Sequence, residues 1–310
     1  MGFLVAAGLV STAAAAGSKG DIHYLAEHLA ETGHDARNLS LTLPIDFDDP
    51  LNRGAWRLRV AAGYQTGAAE FLELEGTLAS VEFRRAHGER DAFSFFAYFD
   101  SFAVGGQGGE QELGSGGLAG IPLTLPARAR FENPRGDLRR QGVGAAWQRR
   151  LSADGRLRPW FLGGGLTVDR LEFDGYEMDY IISDGPDLGA SGVVDHSSTA
   201  TSATPFLGLA TARPLGRRLL LVPQLVVGGS LPANPFEGRI TGPGFDRSSQ
   251  AGDGEPGKIG DAFFGLGARL LHRSGWEVDL GTMVSYPLWE STTHPGVRRA
   301  LLLHVGWTFR

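Results

Sequence analysis

The stretch Asp195-His196-Ser197-Ser198 sets a carboxylate, an imidazole and two hydroxyls next to one another. A serine hydroxyl becomes a nucleophile when a neighbouring base takes its proton, and a histidine serves as that base when a carboxylate orients it. His196 and Ser198 are two apart, so on a strand they share a face. The run HSSTATSAT also brings hydroxyls near a histidine with no catalytic purpose. Nucleophilic catalysis is one reading of these residues, and a polar surface is the ordinary one.

A second constellation lies just upstream. Asp174, Glu177, Asp179, Asp184 and Asp187 occupy a Gly-containing segment that holds no Lys or Arg up to Asp195. Carboxylates of this kind suit Ca²⁺ or Mg²⁺, which take oxygen ligands, although the spacing is not that of an EF-hand. A solvated acidic loop explains the same residues. Near the start of the chain, His23, Glu27 and Glu31 follow helical spacing, as surface residues of an exposed helix commonly do.

The elements that must position these groups are nearly all strands. Asp21 to Asn38 reads as the one amphipathic helix, with Ile22, Leu25 and Leu29 on its apolar face. A Pro/Asp-rich linker follows at 43–54. From Ala55 onward the hydrophobic period is two. Ten strands are expected, at 55–65, 76–87, 91–104, 141–152, 156–173, 203–213, 217–231, 260–273, 275–289 and 298–309. Segments 69–75 and 121–131 would add a pair or lengthen these, so the range is eight to twelve. Connections alternate between tight turns near 88, 154, 216 and 274 and long polar loops at 106–140, 174–202 and 232–259. Short turns at one end and long loops at the other are how transmembrane β-barrels are built.

Composition agrees with this picture. Glycine supplies 46 of 310 residues, about twice the usual share of roughly 7%. Cysteine is absent, which excludes disulfides and thiolate metal sites. A net charge of −6 argues against a nucleic-acid binder. Residues 1–16 read as a signal peptide, with an apolar Phe3–Val10 core and small residues at Ala14-Ala15-Ala16. The segment 17–54 is then a periplasmic helix and linker, and 55–310 the barrel.

The ending LLLHVGWTFR, with Leu301, Leu303, Val305, Trp307 and Phe309 on one face, resembles the C-terminal signal of Gram-negative outer-membrane β-barrel proteins. Here the terminal aromatic is penultimate. The resemblance implies an all-β fold, a closed antiparallel transmembrane β-barrel of about ten strands. It also implies outer-membrane lipid and lipopolysaccharide as surroundings, and the barrel-assembly machinery as a partner during insertion. On that reading Arg57, Arg59, Glu82, Arg84, Asp169, Arg269, Glu277, Asp279 and His304 face the lumen. Buried charges must be paired, so they should form a ladder. The ladder either fills the barrel or borders a narrow path for a small solute. Arg128, Arg130, Arg135, Arg139 and Arg140 are candidates to grip lipopolysaccharide phosphates in bidentate fashion. His196 and Ser198 also resemble the His-x-Ser arrangement of outer-membrane lipid A deacylases. The expected function is therefore a structural barrel or narrow pore, with a lipid A-modifying enzyme or a loop-based surface adhesin as alternatives.

Overall fold

The structure is a computed structural model that describes residues 56–69, 72–87, 90–106, 109–113, 127–151, 160–184, 188–232, 236–242, 245–251, 261–287 and 298–309. The expected leader and amphipathic helix lie outside these residues. The strands in chain order are β1 (Trp56–Ala69), β2 (Leu72–His87), β3 (Asp91–Gly106), β4 (Gly109–Leu113), β5 (Ala127–Arg150), β6 (Trp160–Asp184), β7 (Leu188–Thr211), β8 (Arg213–Pro214), β9 (Leu219–Pro232), β10 (Phe236–Gly242), β11 (Phe245–Ala251), β12 (Asp261–His272), β13 (Trp276–Pro287) and β14 (Arg298–Phe309).

Ten of them close a ring. β14 pairs with β1, and β7 pairs with β9, so the antiparallel circuit β1-β2-β3-β5-β6-β7-β9-β12-β13-β14 has no free edge. These ten correspond one for one to the strands expected from the sequence. Register fixes the shape. From Ala68 the pairing runs through Arg299, Val284, Phe264, Val227, Leu207, Gly164, Trp147, Phe93 and Arg85 to Trp56, twelve residues below its start. A shear of twelve over ten strands tilts them by about 40° and sets a backbone radius of about 10 Å.

The outside is apolar in a band. Leu301, Leu303, Val305, Trp307 and Phe309 are exposed along β14, and Trp160, Leu162, Leu166 and Val168 along β6. Nine residues at this tilt cover roughly 20 Å, enough for a barrel's hydrocarbon band. Exposed arginines bracket it, with Arg85, Arg149 and Arg273 at the short-turn end and Arg139, Arg170 and Arg299 at the other. Aromatics line both margins: Phe93, Trp160, Trp307 and Phe309 below, Tyr64, Phe99 and Phe264 above. Gly216 and Gly275 adopt positive φ of 87° and 105° in the tight turns, where a side chain would be strained.

The expected long loops are largely strand. β5, β6 and β7 run to 24, 25 and 24 residues and continue well past the band. β4 takes over from β3 on the flank of β5, and the β10–β11 hairpin takes over from β9 on the flank of β7. The result is an open six-stranded wall rising from one side of the barrel. No hydrophobic alternation in the sequence announces these extensions.

Candidate functional site

Alternation points every second residue of the ring inward, and the inward set forms three stacked layers. The lowest is ionic. All nine residues of the expected ladder face the lumen and are buried or half-buried, and eight of them gather in its lower half. Arg59 pairs with Glu277, Arg269 with Asp279 at 3.1 Å, and Arg84 with Glu82 at 3.3 Å. Asp279 stands opposite both Arg269 and His304 in register. The space left between Arg57, Arg59, Glu82, Arg84, Arg269 and Glu277 is about 20 Å³, room for about one water.

Above it lies an apolar layer. Phe206, Val226, Phe263, Met283 and Leu302 are buried in one cluster, with Phe96 packed against it. Inward glycines make room for the large groups. A Cβ on Gly144 would overlap the Phe96 ring, one on Gly165 the Phe206 ring, and one on Gly228 the Phe263 ring. At these three positions cross-strand holes receive aromatic knobs.

The upper layer unites residues that the sequence alone leaves in separate groups. Arg140 donates to Asp100 through Nε at 2.7 Å and again through Nη2, and its guanidinium lies 4.9 Å from the centre of the Tyr98 ring. Tyr98 donates its hydroxyl to Asp169 at 3.2 Å, and Ser202 donates to the same carboxylate at 3.0 Å. Asp169, the ninth ladder residue, thus belongs here. Leu138 and Leu171, both fully buried, cover the group from above. In-out parity was the available signal: Arg139 and Arg140 are neighbours on a strand, so one of them had to point inward.

That corrects one expectation. Arg140 is 1% exposed and held by Asp100, so it is closed to any lipopolysaccharide phosphate. Arg135 and Arg139 are exposed on the outer face. Arg128 and Arg130 lie on β5 opposite Glu112 and Glu110 of β4 in backbone register, and their side chains lie outside the described set.

His196 and Ser198 fall on β7, flanked by β6 and β10. His196 is opposite Tyr176 and Ile240, and Ser198 opposite Phe173 and Gly238. The pair stands on the wall, on the order of 15 Å above the apolar band. Their side chains lie outside the described set.

Asp174, Glu177, Asp179 and Asp184 are spread along β6 rather than gathered in a loop, while Asp187 falls between β6 and β7, outside the described residues. Asp174 and Asp184 are about 33 Å apart along the strand. As a set they cannot converge on one ion. Among the described residues no group of three acidic or histidine side chains is placed to hold a metal.

Closure of the ring and the lipid-facing band together define a membrane-spanning β-barrel of the outer-membrane type. The chain matches no protein-family model and no curated relative. Among solved structures it is similar to the outer membrane protease OmpT of Escherichia coli, at 8% identity and a TM-score of 0.45, covering 87% of this chain and 100% of that one. It is also similar to an outer membrane channel of Pseudomonas putida, at 10% identity, TM-score 0.38 and coverage of 86% and 100%. LpxR of Salmonella typhimurium is similar at 7% identity, TM-score 0.34 and coverage of 82% and 100%. These likenesses concern strand architecture, and no activity is carried over from them.

Proposed function

We propose that this chain is a structural protein of the bacterial outer membrane, a sealed barrel that anchors the raised β wall at the cell surface. What supports the reading is the side-chain packing of the lumen: an ion-paired layer with about 20 Å³ free between its charges, an apolar layer and a second ion-paired layer in series. A solute path needs continuous wet space, and paired charges packed this way lock register instead. The wall is then the part available to partners, through its two faces and its flanking strands β4 and β11. Arg135 and Arg139, just above the band, are suited to lipopolysaccharide phosphates. The apolar alternation of β14 is suited to the assembly machinery during insertion.

Swelling of proteoliposomes in isosmotic arabinose tests this reading. The purified barrel should give no more swelling than empty vesicles, and sugar entry proportional to protein would establish a pore and overturn it.

The position of His196 and Ser198 above the band does not favour acyl-chain chemistry at the lipid surface. If they act as a lipid A deacylase, expression will shorten lipid A by one acyl chain, and Ser198→Ala will restore it.

A further inference from the structure

The short-turn end of the barrel is strongly basic on one side. β8 continues the line of β7 along β9, with Arg213 opposite Leu221 and Pro214 opposite Leu220. The turn that follows closes with the Leu215 amide donating to the Leu219 carbonyl at 2.9 Å. Arg213, Leu215, Arg217 and Arg218 are all exposed, Leu215 at the tip by 51%. The next turn is tied to this one, since the Arg273 amide donates to the Arg218 carbonyl at 3.0 Å. Four arginines thus sit on two joined turns, within roughly 10 Å of backbone. Among the described residues, the one exposed or half-buried carboxylate at this end is Asp91. It lies three strands round the barrel and is already held by Arg149 at 2.9 Å. The long-loop end is mixed in sign: there Arg170 shares Glu172 at 3.0 Å, and Glu73 and Glu75 are exposed as well.

We propose that these two turns bind one cardiolipin from the phospholipid leaflet on the periplasmic side, where the short turns of such barrels lie. Its two phosphodiesters are joined through one glycerol, so both charges arrive together. Arg213 and Arg217 take one phosphate, and Arg218 and Arg273 take the other. Arg213 shares a register row with Leu221, and that row continues through Leu270 to Val278. These three apolar residues are half-buried between buried inward neighbours, so the row faces lipid. Strand tilt carries the row upward from the arginines, and the acyl chains follow it into the apolar band. Trp276 and Trp307, opposite each other in register, border the same path. A zwitterionic headgroup would set its ammonium among guanidiniums, and a single phosphate would fill half the site. The exposed Pro214 and Leu215 at the tip suit lipid, whereas a hydrated acidic glycan peptide would leave them uncovered.

The inference rests on the outer-membrane reading, and one experiment separates the two. The full-length protein is reconstituted in nanodiscs of cardiolipin, phosphatidylglycerol and phosphatidylethanolamine at equal phosphate, released into detergent, and weighed by native mass spectrometry. One cardiolipin should be retained, with retention falling at least tenfold in the double variant Arg213→Gln, Arg217→Gln and in Arg218→Gln. Arg149→Gln, at the same end but engaged by Asp91, should retain it as the parent does. All variants should keep the gel-mobility shift of a folded barrel. Retention of phosphatidylglycerol or phosphatidylethanolamine to the same extent overturns the inference. So do turn variants that retain cardiolipin unchanged, an equal loss in Arg149→Gln, or displacement of cardiolipin by soluble peptidoglycan peptides at equal concentration. A barrel that does not enter the nanodisc overturns both readings.

Discussion

The two ionic layers of the lumen solve the same problem with different economy. The upper one is a compact pair with supports: Arg140 and Asp100, each almost fully buried, with Tyr98 and Asp169 alongside. The lower one is a network in which four arginines share three carboxylates beside His304, so each charge has more than one neighbour. Asp100 takes its ion pair from Arg140, whereas Glu277 stands among several arginines, and a network tolerates the loss of a member. Stability should therefore be more sensitive above than below.

The largest effect is expected from Arg140→Ala. It leaves Asp100 buried without its cation, a loss of about 3–5 kcal/mol. Urea unfolding of the refolded barrel, followed by tryptophan fluorescence, measures it. Arg139→Ala on the same strand should change stability by less than about 0.5 kcal/mol, because it faces outward. An equal loss from both would erase the distinction between inward and outward arginines.

Gly144→Leu comes next. The new side chain would enter the volume of the Phe96 ring, and overpacking of this kind costs about 1–3 kcal/mol. Pairing it with Phe96→Ala should recover part of the loss, and the cycle of four proteins gives the coupling.

Arg59→Ala sharpens the comparison from below. Glu277 keeps Arg269 and Arg84 in its surroundings, so the expected loss is about 1–3 kcal/mol, smaller than for Arg140. A loss exceeding that of Arg140→Ala would reverse the ranking of pair and network.

The smallest effect belongs to the short-turn rim. Arg149 bonds Asp91 through Nε at 2.9 Å and Nη2 at 3.0 Å, but its side chain is half exposed. Arg149→Ala should cost no more than about 1 kcal/mol, and the difference should shrink further in high salt.

These contrasts also show what a sequence of this kind discloses. Strands inside the band are legible because lipid demands apolar residues on one face and the lumen accepts small or polar ones on the other. Val305, Trp307 and Phe309 alternating with His304, Gly306 and Thr308 carry that signal unaided. The ladder followed from the same parity, since Arg269 and Asp279 alternate with apolar neighbours on β12 and β13. Legibility fades where the band ends. Residues 127–140 and 174–202 look like loops because they carry no apolar period, and their pairing is decided by neighbouring strands. The inward turn of Arg140 is hidden for the same reason: it lies at that margin, where flanking Arg139 and Gln141 obscure the alternation. Tyr98 and Asp100 were inside a recognised strand, but which residue they would meet depended on the register between β3 and β5.

A barrel whose lumen is closed by three packed layers carries no ion current. Single-channel recording of the purified barrel in a planar bilayer tests it most directly. Insertion should produce no stable current steps in 1 M KCl, with insertion confirmed by protease protection of the same membranes. Reproducible ohmic steps from the unaltered protein would contradict the claim.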